Sequence, residues 1–419
     1  MYKTSGALVS RLFYERHDMT DIFDRILDAA KQLEGVAQRT PLIPTPGFSA
    51  ADMTYIKAEN LQKTGSFKLR GAYNCVSRLS PEAKSHGVVA CSAGNHAQGV
   101  AYAARMAGIS SIICMPAGTP LSKVERTRAL GAEIVLVPGV YDDAYEKALE
   151  LRESYGYTLV HPFDDIDVIA GQGTVGLELL EQAPDLDVIL VPVGGGGLIS
   201  GVAAAIKKRK PSCEVWGVEA EGAPSMKQSM ERGAIVTLQS VSTIADGIAV
   251  KRVGEETFAL SEQYVDGVVT VKEGEIAAAI LRLLEDHKMI AEGAGAVAIA
   301  AAMYGKLDLR GKKAACVLSG GNVDVNIIAQ IIAKGLKKAQ RVVAVRTILD
   351  DKPRQLSAFL GVLSETGANI LSVHHDRDNI DLNIGKCAVD VELETRGPDH
   401  AEQIYETLNR SGYAIELHS

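Results

Sequence analysis

Val191-Pro192-Val193-Gly194-Gly195-Gly196-Gly197-Leu198 joins an unbroken apolar run, beginning at Asp187, to a helical pattern over Leu198–Lys208. The run Asp187–Val193 is apolar without polar alternation, the pattern of a strand buried on both faces of a parallel sheet. Four glycines then let backbone N–H groups converge, and the helix start behind them adds positive potential, so a phosphate fits there. By itself a glycine run also serves as a tight turn. It is not the G-x-G-x-x-G dinucleotide fingerprint, and no acidic residue ends a strand about twenty residues later in the way a dinucleotide site requires.

The same alternation extends outward in both directions. Further strands are expected at Gly87–Cys91, Ser111–Met115, Glu133–Val137, Thr158–His161, Glu214–Val218 and Ala314–Leu318. Helical spacing marks Asp21–Leu33, Asn95–Met106, Ser122–Leu130 and Tyr141–Tyr155. Alternation of this kind predicts α/β layers with right-handed crossovers. Three prolines hold Thr40–Pro46 extended. A basic stretch, 334–341, reads as a linker, and beyond it the order changes to strand Val342–Ile348, helix Gln355–Thr366, strands Asn369–His374 and Lys386–Glu394, helix Asp399–Arg410 and strand Tyr413–Leu417. That is the βαββαβ ferredoxin-like arrangement. The weakly patterned residues 1–18 read as an N-terminal extension.

Composition narrows the function. The chain has 419 residues, room for two or three domains, and a net charge of −8 with only 5% aromatic residues. A phosphate-backbone binder needs a basic excess, so nucleic acid is not an expected partner. No apolar run approaches the ~20 residues that span a bilayer. The six cysteines form no C-x-x-C pair and sit mostly in apolar runs, which reads as buried thiols in a cytoplasmic protein.

Three further segments carry chemistry. In Thr64-Gly-Ser-Phe67-Lys68-Leu-Arg-Gly, a lysine follows an aromatic residue just where a helix begins. The helix dipole and desolvation both lower its pKa and favour the neutral amine that attacks a carbonyl. A lone lysine of this kind is ordinarily a surface residue beside a cap; its neighbours decide otherwise here. Ser92-Ala93-Gly94-Asn95-His96-Ala-Gln-Gly ends a strand in small residues before a helix, an anion seat suited to a carboxylate. Leu318-Ser319-Gly320-Gly321-Asn322 leaves a hydroxyl at the carboxyl tip of another strand, where ligands of open α/β sheets sit. Amine, phosphate cradle, carboxylate seat and lone hydroxyl together are the set that a pyridoxal phosphate enzyme acting on an amino acid requires.

With these four motifs in chain order, residues from Asp21 to Lys334 resemble the fold-type II pyridoxal phosphate enzymes of the tryptophan synthase β type, and within them the threonine dehydratases (threonine ammonia-lyases). The resemblance implies pyridoxal 5'-phosphate as cofactor, held by Lys68, the catalytic residue. Phe67 is then beside its ring, Asn95 at its phenolic oxygen, Gly194, Gly195, Gly196, Gly197 and Leu198 at its phosphate, and Ser319 at its ring nitrogen. Gly247 and Glu292 lie in segments similar to those lining the cofactor. Ser92, Ala93, Gly94, Asn95 and His96 match the loop that receives the substrate carboxylate. A serine holds a proton on the ring nitrogen less firmly than an aspartate, which suits β-elimination better than transamination. The similar serine racemases carry a second serine where this chain has Ala93, and relatives acting on O-acetylserine lack His96.

The expected reaction is thus dehydration and deamination of L-threonine to 2-oxobutanoate and ammonia, with L-serine as a secondary substrate. The alternatives are a serine or hydroxyaspartate dehydratase, or an amino-acid sensor with a decayed catalytic half. The family's divalent cation needs an Asp where Ser225 stands beside Glu219 and Ala223, so no metal is expected and Glu219 reads as a surface acid. The last eighty residues resemble an ACT regulatory module, through Asp351-Lys-Pro-Arg354-Gln-Leu and Gly367-Ala-Asn369-Ile. Arg354 takes the place of its usual glycine. The resemblance implies an amino-acid effector and a homodimer or homotetramer, with a purely dimerising role as the alternative. His374, His375 and Asp376 read as an exposed strand end, since adjacent strand residues face opposite ways. The expected domains are a large one of 19–67 and 168–333, a small inserted one of 68–167, a linker of 334–341, and the ACT module of 342–419.

Overall fold

The structure, a computed structural model, describes residues 21–378 and 380–418, so the expected extension over 1–18 lies outside the described residues. It divides into two units, with the boundary along the chain between Val323 and Asp324.

The first unit holds two sheets. The larger runs in the order β1 (Leu42–Pro44), β2 (Met53–Ala58), β10 (Lys313–Leu318), β7 (Val188–Pro192), β8 (Glu214–Ala220) and β9 (Gly267–Val271). All its pairings are parallel except that of β1 with β2. The smaller is wholly parallel, in the order β5 (Glu133–Val137), β4 (Ser111–Pro116), β3 (Val88–Cys91) and β6 (Thr158–Leu159). Strands β3 and β7 are buried along their whole length, as their unbroken apolar composition requires. Three strands, β1, β2 and β9, have no counterpart among the expected ones. β2 reads Met-Thr-Tyr-Ile-Lys-Ala, a mixed pattern whose lysine, Lys57, is buried with its ammonium received by Thr40 O, Glu178 and Gln182.

The glycine excess is used where helices touch. Helices Ile166–Gln182 and Gly197–Arg209 cross so closely that a Cβ on Gly201 would lie 2.4 Å from the Ile169 carbonyl oxygen. Helix Asn95–Ala107 stops at Gly108 and helix Tyr141–Tyr155 at Gly156, both in the left-handed conformation that glycine adopts without strain. Among the described residues no helix is long and apolar enough to cross a membrane.

The second unit opens with helix Val325–Lys338, capped by Asp324, whose carboxylate accepts from the Asn326 amide. The stretch expected as a linker over 334–341 is therefore helical through Lys338. Lysines are good helix formers, and near a C-terminus they complement the helix dipole. Then β11 (Val342–Asp350), helix Gln355–Glu365, β12 (Asn369–Asp376), β13 (Lys386–Glu394), helix Pro398–Arg410 and β14 (Ile415–His418) follow in the βαββαβ order. The antiparallel sheet runs β12-β13-β11-β14 and buries Val345, Leu349, Val389 and Val391 with Phe359 and Leu363. Arg354 has a φ of 76°, the left-handed region that favours glycine.

Candidate active site

One cavity of about 910 Å³ opens in the first unit, at the carboxyl ends of β3, β7 and β10. It is lined by all of the residues expected at the cofactor and substrate: Phe67 and Lys68, Ser92 through His96, Gly194 through Leu198, Gly247, Glu292 and Ser319. Strand ends gather these residues because each motif occupies the turn between a buried strand and the following helix, or packs against such a turn.

Lys68 opens helix Lys68–Ser77, where its ammonium donates to the Pro162 carbonyl at 2.6 Å and lies 5.3 Å from the centre of the Phe67 ring. Burial lowers its pKa to about 8, against an opposing pull from the Glu292 carboxylate. Two residues on, Arg70 is fully buried between two carboxylates. It donates from Nε and Nη2 to Glu59, at 2.9 and 2.8 Å, and from Nη1 to Glu178 at 2.6 Å. The start of this helix is thereby tied to the body of the first unit. The loop before it is stitched to the tip of β10, with Phe67 N–H donating to Ser319 O at 3.1 Å and Gly321 N–H to Gly65 O at 2.9 Å.

The glycine run lies against a wall that leaves no room for side chains. A Cβ on Gly195 would lie 2.3 Å from the Phe163 ring, one on Gly196 2.7 Å from Thr257, and one on Gly197 2.9 Å from the Phe163 carbonyl oxygen. Thr257 donates to Gly195 O at 2.7 Å, and Asp164 caps the helix that begins at Glu255. Gly195 to Leu198 are buried, yet the N–H groups from Gly194 to Leu198 donate to no protein acceptor among the described residues. Orphaned buried N–H groups are rare in folded proteins, and a bundle of them at a helix start fits a phosphate dianion. An amine and a cradle of backbone donors in one cavity are a set that fits a pyridoxal phosphate.

The second anion seat, Ser92–His96, leaves the N–H groups of Ala93, Asn95 and His96 without protein acceptors among the described residues. The His96 ring is turned inward, with Nε2 2.8 Å from Val160 O, and burial and nearby Lys68 push its pKa down to about 3. It is a neutral ring, so the seat owes its positive potential to backbone dipoles. Asn95 donates from Nδ2 to Glu292 at 2.6 Å and accepts from Asn322 at 2.8 Å. Burial and repulsion from Asp246 push Glu292 up to about 7. The Ser319 hydroxyl is buried at the cavity wall, 3.5 Å from Ala294 O.

Several contributors carry no local signature. Arg70, Glu59 and Glu178 come together only through folding, and so do Phe163 and Thr257 behind the glycines. Glu219 differs from its expected place on the surface: it is fully buried on β8. Its carboxyl accepts from the Met226 and Lys227 amides at 2.8 and 2.9 Å, closing the start of helix Ser225–Arg232. A side chain occupied in this way is a helix cap.

A family model described as pyridoxal-phosphate dependent enzyme matches residues 33–320. The chain is 51% identical to an L-threonine ammonia-lyase of Thermotoga maritima over 394 residues, which cover 94% of this chain and 98% of that protein. It is 46% identical to an L-threonine ammonia-lyase of Geobacter sulfurreducens over the same share of each chain. Among solved structures, the processed form of threonine deaminase isoform 2 from Solanum lycopersicum superposes with a TM-score of 0.71 at 40% identity, covering 76% of this chain and 89% of that one. The chain belongs to the pyridoxal-phosphate dependent enzyme family, in the group of the L-threonine ammonia-lyases.

Proposed function

We propose that this protein converts L-threonine to 2-oxobutanoate and ammonia with pyridoxal 5'-phosphate, and turns over L-serine more slowly. The observation that carries the reading is Lys68, a half-buried amine with its pKa brought to about 8, facing a cradle of unsatisfied backbone donors in one cavity. When bound, the cofactor supplies the electron sink that makes the substrate α-proton removable.

The chain's residues take the following parts in this reading. Lys68 Nζ anchors the cofactor and serves as the base for the α-proton. Gly194 to Leu198 hold the phosphate through N–H groups, Phe67 bounds the ring, and Ser319 offers its hydroxyl to the ring nitrogen. Gly247 and Asn95 border the ring, Asn95 held in orientation by Glu292 and Asn322. The Ser92–His96 loop takes the substrate carboxylate on its free N–H groups. Ala93 places no acid on the far face of the α-carbon, so elimination outruns racemisation.

The second unit we read as an ACT module over 342–419. Its βαββαβ order supports this, as does the left-handed turn at Arg354. An amino-acid effector there and a homodimer or homotetramer belong to the same reading. Reduced thiols support a cytoplasmic setting, since all six cysteines are free and buried. The domain division of 19–67 with 168–333 around an inserted 68–167 is supported by the two sheets of the first unit.

Oxo-acid release from L-threonine, L-serine and D-serine, compared with Lys68→Ala, tests the function. Fastest release from L-threonine, lost in the variant, is the expected result. A yellow, cofactor-loaded protein that turns over none of the three would overturn it in favour of an amino-acid sensor or an enzyme for bulkier hydroxy amino acids.

A further inference from the structure

Among the described residues, a cluster of ligating side chains lies in the second unit. We propose that Asp351, His375 and Cys387 bind a single zinc-like divalent transition metal ion. The three are far apart in sequence, and the antiparallel pairing brings them to one end of one sheet face. Cys387 on β13 pairs with Leu349 on β11, and His375 on β12 pairs with Val389, the next residue but one from Cys387 on the same face. Asp351 follows two residues after Leu349, where β11 gives way to the turn before helix Gln355–Glu365. One ligand atom from each residue lies within 4.8 Å of the other two. Small side-chain rotations, chiefly of exposed His375, bring such a set to metal–ligand distance.

The donor set also has a direction of approach. Cys387 is buried, Asp351 is half-buried and His375 is exposed, so a cation enters from the solvent side and meets the sulfur last. Arg377 donates from both Nε and Nη2 to the same Asp351 oxygen, Oδ2, at 2.9 and 2.6 Å. Oδ1 is thereby left as the oxygen available to a metal, and the arginine would hold the carboxylate in place, as partners of metal-bound carboxylates do. The Asp351 amide donates to Gly385 O at 2.9 Å, fixing the backbone that carries the ligand. Thiolate plus imidazole selects zinc-like ions over magnesium or calcium, which prefer oxygen throughout. On binding, the Cys387 thiol releases its proton to solvent, the imidazole binds as the neutral ring, and water completes four-coordination. His374 is not part of the set, because it points to the opposite face of β12.

The test uses the full-length, cofactor-loaded protein, stripped with chelator and dialysed against zinc ion alone, with metal and protein measured after equilibrium. One zinc per chain is expected. His375→Gln, a change at an exposed position that leaves the fold intact, should weaken binding about tenfold or more. Cys387→Ser should do the same, and His374→Gln should have no effect. With cobalt ion in place of zinc, four-coordinate binding adds visible ligand-field bands at longer wavelength than the cofactor absorbs, and these move to shorter wavelength or vanish in Cys387→Ser. The proposal is overturned if no zinc is retained, if His375→Gln binds as well as the parent, or if His374→Gln loses as much as His375→Gln.

Discussion

With its cofactor removed, the protein should take up pyridoxal phosphate at a rate set by how much of Lys68 is the neutral amine. Burial lowers the lysine from an ordinary 10.5 to about 8. At pH 7 the neutral fraction is then about 9%, against about 0.03% for an unperturbed lysine, a gain of roughly 300-fold in nucleophile. The uptake rate, read from the absorbance of the bound cofactor and normalised to the cofactor's reaction with a simple free amine, should rise with pH and level off above about 8. Glu292 is the carboxylate that resists this shift, since its negative charge favours the ammonium. Glu292→Gln keeps an acceptor for Asn95 while removing that charge, so the midpoint should move to lower pH. Lys68→Ala should form no covalent adduct at any pH. A midpoint near 10, or an upward move in Glu292→Gln, would refute the argument that desolvation tunes this amine.

Three other expectations follow from the packing. Gly195→Ala puts a methyl 2.3 Å from the Phe163 ring and should weaken cofactor binding at least about tenfold in an absorbance titration, because the cradle has to shift by more than the ring allows. Arg70→Met leaves the carboxylates of Glu59 and Glu178 facing one another without their shared cation; a loss of about 3–5 kcal/mol in urea unfolding is expected, and an unchanged midpoint would show that the network relaxes freely. Glu219 is pushed up by burial from 4.5 to about 7, so the protonated form is favoured in the folded state: its contribution is full below about 4.5 and is lost as pH rises through about 7. Glu219→Gln should therefore flatten the fall in stability across that window in pH-dependent unfolding.

Much of the fold was legible because the parallel sheets leave a strong local trace. Gly87–Cys91, Asp187–Val193 and Ala314–Leu318 are apolar without alternation, and the structure buries them on both faces as β3, β7 and β10. Strand β2 escaped notice because Lys57 interrupts its pattern, and the charge of that lysine is balanced by Glu178, more than a hundred residues away. The run from Lys334 to Lys338 looked like a linker because its charge outweighs its helical spacing, which the isoleucines from Ile327 to Ile332 extend from upstream.

The sequence by itself determined which residue types meet the ligand. Lysine, glycine run, small-residue loop and serine each stand at or just before a helix start that follows a strand, and in a parallel sheet such turns lie at the carboxyl edge; that the edges of two separate sheets line one cavity was the fold's contribution. Only the tertiary structure decided how those groups are tuned. The depressed amine of Lys68, the raised carboxyl of Glu292 and the neutral ring of His96 depend on exclusion of water and on neighbours distant along the chain. The same holds for Arg70 locked between Glu59 and Glu178, and for Cys387 brought beside Asp351 and His375. Burial and long-range juxtaposition set the energy of a charge, and neither is a property of a short stretch of sequence.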